Sequence, residues 1–332
     1  MTEPTLLAMP ELVMDNILAF AGFQGIFPLR KVCTTLRNYI DDKMPDAGFQ
    51  KFAIFLAGLM TFGFENENKL ELRSRIDGSV VVGKSGSWKV SSKLCEDVDY
   101  VDQLWKEFEM ILKFQSSTLK EIYIKMNSCY EHTCEKLVQV FKSRLRPLSV
   151  KTLILDTKEG QEARIVEILR QTDPETLKKL AIRKYEQGGI EGIFEISEIS
   201  NCEYWKHLEQ IHIFGYCVLD EDLTKFGHFS HMNVMFRCIQ VERVVELKKI
   251  LQSSPSNLFL FTLKYIQFAG MDALLSALGV RQVHSTYQLY DYYYFKTENP
   301  EKLLAISHKE WVQFELWDTH IVCRDPDVKI YP

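Results

Sequence analysis

Residues 119–127 read LKEIYIKMN, with apolar side chains at the first, fourth and sixth positions. The same spacing recurs at Val150-Leu153-Leu155, Leu177-Leu180-Ile182, Leu208-Ile211-Ile213, Phe229-Met232-Val234 and Leu258-Phe261-Leu263. Successive triplets start 31, 27, 31, 21 and 29 residues apart. Positions 4 and 6 share one face of a strand, whose side chains alternate. Between the triplets lie segments of helical period, such as Cys134, Leu137, Val138, Phe141 and Leu145, or Val241, Val244, Leu247 and Leu251. Strand followed by helix at this interval calls for parallel strands, which need a crossover of a dozen or more residues.

The triplets resemble the strand signature of leucine-rich repeats, whose period of roughly 20 to 29 residues their spacing straddles. The resemblance implies a degenerate, curved α/β solenoid; a generic α/β domain is the alternative. Only the first unit carries Asn, as Asn127, at position 9, where the others have Lys158, Tyr185, Tyr216, Arg237 and Ile266. In such an array positions 2, 3, 5 and 7 point away from the core. One outward row then comprises Tyr123, Ile154, Ala181, His212, Asn233 and Thr262, and its neighbour Lys125, Asp156, Arg183, Phe214, Met235 and Lys264.

Upstream the period changes. From Lys51 to about Ser92, Leu70, Leu72 and Ile76 alternate with Glu71, Arg73 and Arg75, and Asp77-Gly78 is a hairpin signal before Val80 and Val82. Two or three antiparallel strands are expected. Residues 99–115 return to helical spacing through Leu104, Phe108, Ile111 and Leu112. Residues 9–41, MPELVMDNILAFAGFQGIFPLRKVCTTLRNYID, open with Pro10 and Glu11, which suit a first helical turn. Leu12, Val13, Ile17 and Phe20 follow at helical spacing. Past Gly22 and Gly25, Pro28 is placed to open a second helix with Leu29, Val32, Cys33, Leu36 and Ile40 on one stripe. Residues 42–50, with Pro45 and Gly48, read as a link.

Residues 9–41 resemble an F-box, the helical module that docks on the Skp-type adaptor of cullin-based SCF ubiquitin ligases. Met9-Pro10 and Ile17-Leu18 stand where that pattern has Leu-Pro and Ile-Leu, and LRKVCTTLRNYID (29–41) is similar to the second half of the F-box in a nematode-expanded family that carries a C-terminal FTH domain. Leu12 stands where an acidic residue is common, and Leu36 where many F-boxes have Trp. STLKEIYI, CEYWKHLEQIHI and KEWVQFEL are similar to FTH segments, in a region running from residue 93 to the end. The resemblance implies adaptor contacts at Met9, Pro10, Ile17, Leu18, Leu29, Val32, Cys33 and Leu36. Leu12 and Val13 join them by periodicity.

The fold expected is therefore α+β or α/β in three parts: an F-box and linker (1–50, core 9–41), a short antiparallel β segment (51–92) and an FTH-like, leucine-rich-repeat-like substrate domain (93–332). The resemblance implies a non-catalytic subunit of an SCF-type ligase that docks on the adaptor and, through it, a cullin. A protein client is then expected on Tyr123, Lys125, Asp156, Arg183, His212, Phe214, Met235 and Lys264. The alternative is an F-box protein serving as a scaffold that does not deliver its partner for degradation. TYQLYDYYYF, 286–295, is a second possible contact, although aromatic strands near a domain end commonly pack.

Composition closes off other classes. The net charge is −5, with Lys and Arg spread along the chain, so no direct nucleic-acid partner is expected. Phe52–Phe64 is the longest uncharged apolar stretch, 13 residues with two glycines, against the ~20 of a spanning helix. Eight scattered cysteines without CxxC pairs, and an N-terminus interrupted by Asp15 and Asn16, favour a cytoplasmic or nuclear setting. GSVVVGKS (78–85) fits GxxxxGK[ST], and Asp156 ends a strand-like run that could pass for its metal partner. Three successive valines are stiff at χ1, however, and SGSWKVSS makes a poor helix, so the segment reads as turn, strand and turn. Cys129/His132/Cys134, His207/His212 and His228/His231 lack structural-zinc spacing, and Gly188–Gly192 reads as a turn. No catalytic constellation, metal site or cofactor is expected.

Overall fold

The computed structural model describes residues 6–56, 60–65, 69–74, 80–84, 100–126, 131–184, 192–253, 258, 260–280, 292–308, 311–324 and 328–332. The Asp77-Gly78 turn, Asn127, Cys95, Cys129, residues 188–191 and residues 286–291 lie outside them. The chain forms two compact units, one of residues 1–151 with 170–176, the other of residues 152–169 with 177–332.

In the first unit, α1 (Glu11–Arg30) and α2 (Thr34–Lys43) precede four strands, β1 (Lys51–Leu56), β2 (Met60–Glu65), β3 (Lys69–Ser74) and β4 (Val80–Lys84). These pair antiparallel in order, while β1 also pairs in parallel with β5 (Leu119–Lys125), from Lys51↔Glu121 to Phe55↔Lys125. The GxxxxGK segment thus supplies strand β4, as its valines indicated. Alternation along β1 buries Phe52, Ile54 and Leu56. Phe62 and Phe64 of β2 meet α3 (Tyr100–Phe114), whose Leu104, Trp105, Phe108, Ile111 and Leu112 are buried at helical spacing. The Phe62 and Phe108 rings stack at 4.2 Å, and Trp105 meets Phe62 edge-on at 5.2 Å. Beyond β5, α4 (Glu131–Lys142) buries Leu137, Val138 and Phe141.

The second unit is a large mixed sheet with helices between its parallel strands. β6 (Val150–Thr157), α5 (Glu162–Leu169), β7 (Lys179–Lys184), β8 (Gly192–Ile193), α6 (Ser197–Ser200), α7 (Glu203–His207), β9 (Gln210–Val218), β10 (His231–Ile239), α8 (Val241–Ser253), β11 (Leu260–Phe268) and α9 (Met271–Ala277) follow in order. β6, β7, β9, β10 and β11 pair in parallel as neighbours. β12 (Tyr292–Lys296), β13 (Lys302–His308) and β14 (Val312–Asp318) form an antiparallel meander, with β14 pairing antiparallel to β11. Every residue of the six apolar triplets is buried. Register explains why: Leu180↔Ile211↔Met232↔Phe261 and Ile182↔Ile213↔Val234↔Leu263 are rows of one face.

Three features differ from the sequence reading. Pro28 does not open a helix: α1 bends at Gly22, whose φ of 55° and ψ of −174° are non-helical, and runs on through Pro28 to Arg30. The second helix begins only at Thr34, because Cys33 is extended and its Sγ accepts the Leu36 N–H at 3.5 Å as a cap. The supposed stripe from Leu29 to Ile40 therefore straddles two helices. Five described cysteines (33, 202, 217, 238, 323) are free and Cys134 is disulfide-bonded, a bond that the absence of CxxC pairs did not point to. Finally, β9 bulges: Ile213 pairs with Val234, but Met235 pairs with Cys217. Phe214, Gly215 and Tyr216 are thus extra on β9, which separates Met235 from Phe214, its expected neighbour in the outward row.

Gly215 makes the bulge possible. Its φ is +77°, and a Cβ there would lie 2.8 Å from Lys184 Cβ. The turn brings Tyr216 into full burial, its hydroxyl 2.9 Å from Thr157 Oγ1. Gly160 also has positive φ, +76°, with nothing within 4 Å of such a Cβ. Gly215→Ala is expected to destabilise by about 1–3 kcal/mol, and by more than Gly160→Ala, which carries the strain without the clash. Urea midpoints of the two variants compare them directly.

Candidate functional site

Two surfaces merit description, one in each unit. At the N-terminus Pro10, with φ −56°, precedes α1, and its carbonyl accepts from Val13 N at 2.9 Å and Met14 N at 3.1 Å. The Gly22 bend lets both ends of α1 reach α2. Tyr39 donates to Asp15 Oδ1 at 2.7 Å, and Lys43 pairs with Glu11 and Asp15. Arg30 at the other end makes a two-pronged contact with the Asp41 carboxylate, both bonds 2.7 Å. Arg30 also lies 5.7 Å over the Phe114 ring, and Phe27 meets the same ring at 6.2 Å. Residues 46–49 are pinned below: Asp46 accepts from Ser116 N and Ser117 N, and the Gln115 amide bonds both backbone groups of Phe49.

This architecture sorts the ten adaptor-contact residues into three groups. Leu18 and Leu36 are buried, Leu36 at 2% exposure, and belong to the core of the first unit. Ile17, Leu29 and Cys33 are half-buried, and Cys33 is engaged as a cap. Met9, Pro10, Leu12, Val13 and Val32 are exposed, Leu12 at 73% and Val32 at 70%. Phe20, omitted from the set, is 95% exposed; its place on the same stripe as Val13 and Ile17 was the available signal. Val13, Asn16, Ile17, Phe20 and Ala21 line an open hollow of about 520 Å3.

Of the eight client-face residues, Tyr123 and Lys125 lie half-buried on β5 in the first unit, with the Tyr123 ring 5.4 Å from Phe55. The other six are in the second unit. Register brings Asp156, Arg183 and Phe214 side by side, and aligns Ile154, Ala181, His212, Asn233 and Thr262. Met235 and Lys264 pair with each other across β10 and β11. Burial varies along these rows: Asp156 and Thr262 are buried, His212, Met235 and Lys264 half-buried, and Arg183 and Phe214 exposed. The His212 and Phe214 rings stack nearly parallel, 5.8 Å apart. A third row, Lys179, Gln210 and His231, lies on the same side, at position 3 of the triplet pattern. Alternation of strand side chains puts it on the same side as positions 5 and 7.

Burial first, and then the charges of Lys179, His231 and Arg183, hold His212 neutral down to a pKa of about 4. Burial also lowers His231, with Lys179 adding to it, and lowers His228 and His308. Among the described residues no group of three or more His, Cys, Asp or Glu is placed to hold a metal ion. No helix among them is long and apolar enough to cross a membrane.

These elements define a mixed α/β protein with a large mixed sheet and an exposed apolar helical surface. Residues 131–273 match the FTH domain, which bears out the FTH part of the resemblance over a shorter span than 93–332. No curated protein and no solved structure matches the chain.

Two outcomes follow. Leu36→Ala is expected to cost about 2–5 kcal/mol through the cavity it leaves, whereas Val32→Ala should stay within about 0.5 kcal/mol. Chemical denaturation of both separates structural from surface positions. A histidine with a depressed folded pKa favours the unfolded state only once that state protonates. Stability is therefore complete above pH 6.5 and falls as pH drops toward 4. His212→Gln is expected to flatten that fall, measured as unfolding free energy against pH, with His228, His231 and His308 accounting for what remains.

Proposed function

We propose that the chain is the substrate-recognition subunit of an SCF-type ubiquitin ligase. In this reading residues 9–41 are an F-box that docks on a Skp-type adaptor and, through it, a cullin, and the parallel strands of the second unit form a leucine-rich-repeat-like array that captures a protein client. The chain itself performs no chemistry; it contributes proximity between client and conjugating enzyme. Such a ligase works in the cytoplasm or nucleus.

The observation that carries this reading is the exposed apolar surface of α1 and of the turn that follows it. Leu12, Phe20 and Val32 are large, apolar and left to solvent at 73%, 95% and 70%, and Met9 and Val13 beside them are exposed as well. Burying each against a partner is worth about 1.5–3 kcal/mol before the cost of association, so together they supply a substantial part of a docking energy. The FTH match strengthens it, since the family that residues 9–41 resemble joins an F-box to an FTH domain. Leu18 and Leu36 then act indirectly, as core residues that fix the surface. Because these two docking positions are spent inside the fold, the non-degradative scaffold is the second reading.

Co-purification with a Skp-type adaptor tests it. The Leu12→Asp, Val32→Asp double variant replaces only exposed side chains, so it should fold as wild type and lose at least about tenfold in adaptor affinity. Wild type that folds and binds no adaptor overturns the ligase reading in favour of the scaffold.

A further inference from the structure

The chain as a whole is acidic, with 45 Asp and Glu against 40 Lys and Arg. One side of the sheet in the second unit departs from that balance. Across β7, β9 and β10 the register stacks three rows on the side opposite the buried triplets: Lys179–Gln210–His231, Ala181–His212–Asn233, and Arg183–Phe214. Lys264 on β11 adds a further cation beside Met235. The side chains of Lys179, Arg183 and Lys264 make no ion pair or hydrogen bond with the described residues. The only carboxylate in these rows is Asp156 of β6, buried and facing Arg183 in register. Lys179 and Arg183 both lie near enough to His212, in the row between them, to work against a proton there.

We propose that this side of β7, β9 and β10 docks the client, and that its occupant is an extended peptide segment rich in aspartate and glutamate. The inference rests on the reading that the chain captures a protein client, and names the chemistry of that client. Lys179 and Arg183 lie four residues apart on one strand, about 13 Å at a rise of ~3.3 Å per residue. An extended peptide laid along the strand places side chains of one face at the same interval, so carboxylates at i and i+4 meet both cations. Phe214, exposed and stacked on His212, offers an apolar surface between charged contacts. A single-stranded nucleic acid suits the patch less well. Of the paired His212 and Phe214 rings each has one face taken by the other, which leaves less ring surface for bases to stack on.

Two labelled synthetic peptides decide it, one with Glu at i and i+4 in an extended, neutral background and one with Gln in their place. Fluorescence anisotropy is read with the full chain, beside oligouridylate RNA. The Glu peptide is expected to bind, more weakly as salt is raised, and the Gln peptide to bind at least about tenfold less. The Lys179→Glu, Arg183→Glu variant should lose the Glu peptide while unfolding at the wild-type midpoint and keeping the adaptor. No binding of the Glu peptide by folded wild type overturns the proposal, as does binding the double variant leaves unchanged, or RNA that displaces the peptide and binds more tightly. Adaptor capture without peptide binding sinks this inference and leaves the ligase reading standing. Peptide binding without adaptor capture does the reverse.

Discussion

The second unit depends on one constraint, the register of its parallel strands. A strand's side chains alternate, so slipping β9 by one residue against β7 would carry Ile211 and Ile213 out of the core and put His212 into it. Burying Leu180, Ile182, Ile211, Ile213, Met232 and Val234 together is therefore what fixes the composition of the opposite side. Nothing on that side needs to select its own neighbours. Lys179, Arg183 and His231 come together because the apolar residues between them cannot be anywhere else.

That is also why so much of the sheet was legible. Position 4 and 6 residues of each triplet are alike in every strand, and like positions align when strands pair in parallel. The outward row from Ile154 through Ala181, His212 and Asn233 to Thr262 follows from counting. Counting fails at the bulge. Gly215 supplies a backbone conformation that a pattern of apolar residues does not encode, and three residues pass before β9 pairs with β10 again. The only trace in the sequence is the glycine itself, and a lone glycine in a strand has several meanings.

The N-terminal helices were misread for a related reason. A helical stripe assumes an unbroken helix, so Leu29, Val32, Cys33 and Leu36 seemed to share a face. The chain instead turns at residues 31–33, and the turn puts Val32 outside while Leu36 goes in. Cysteine is an unusual cap, since its sulfur accepts hydrogen bonds weakly, and this hid the true start of α2. The bend at Gly22 was signalled by a breaker, but where the two arms would lead was not. That depended on Arg30 meeting Asp41 and on Lys43 meeting Glu11, pairs separated by 11 and 32 residues.

Charge was the least legible property, because it was read along the chain and acts through space. Lys179, Arg183, His231 and Lys264 are dispersed over more than eighty positions of sequence, among carboxylates enough to make the whole chain negative. Pairing of four strands gathers them on one side, while nearby acids are drawn elsewhere. Glu209 pairs with Lys178, and Glu159 with Lys184, leaving Asp156, buried opposite Arg183, as the one acid in the rows. A surface that is cationic within an acidic protein keeps its selectivity for anions short-ranged. Contact with the patch would attract a carboxylate, whereas approach from a distance would meet a net repulsion, so the proposed acidic peptide would have to present its acids in the right geometry as well as carry them.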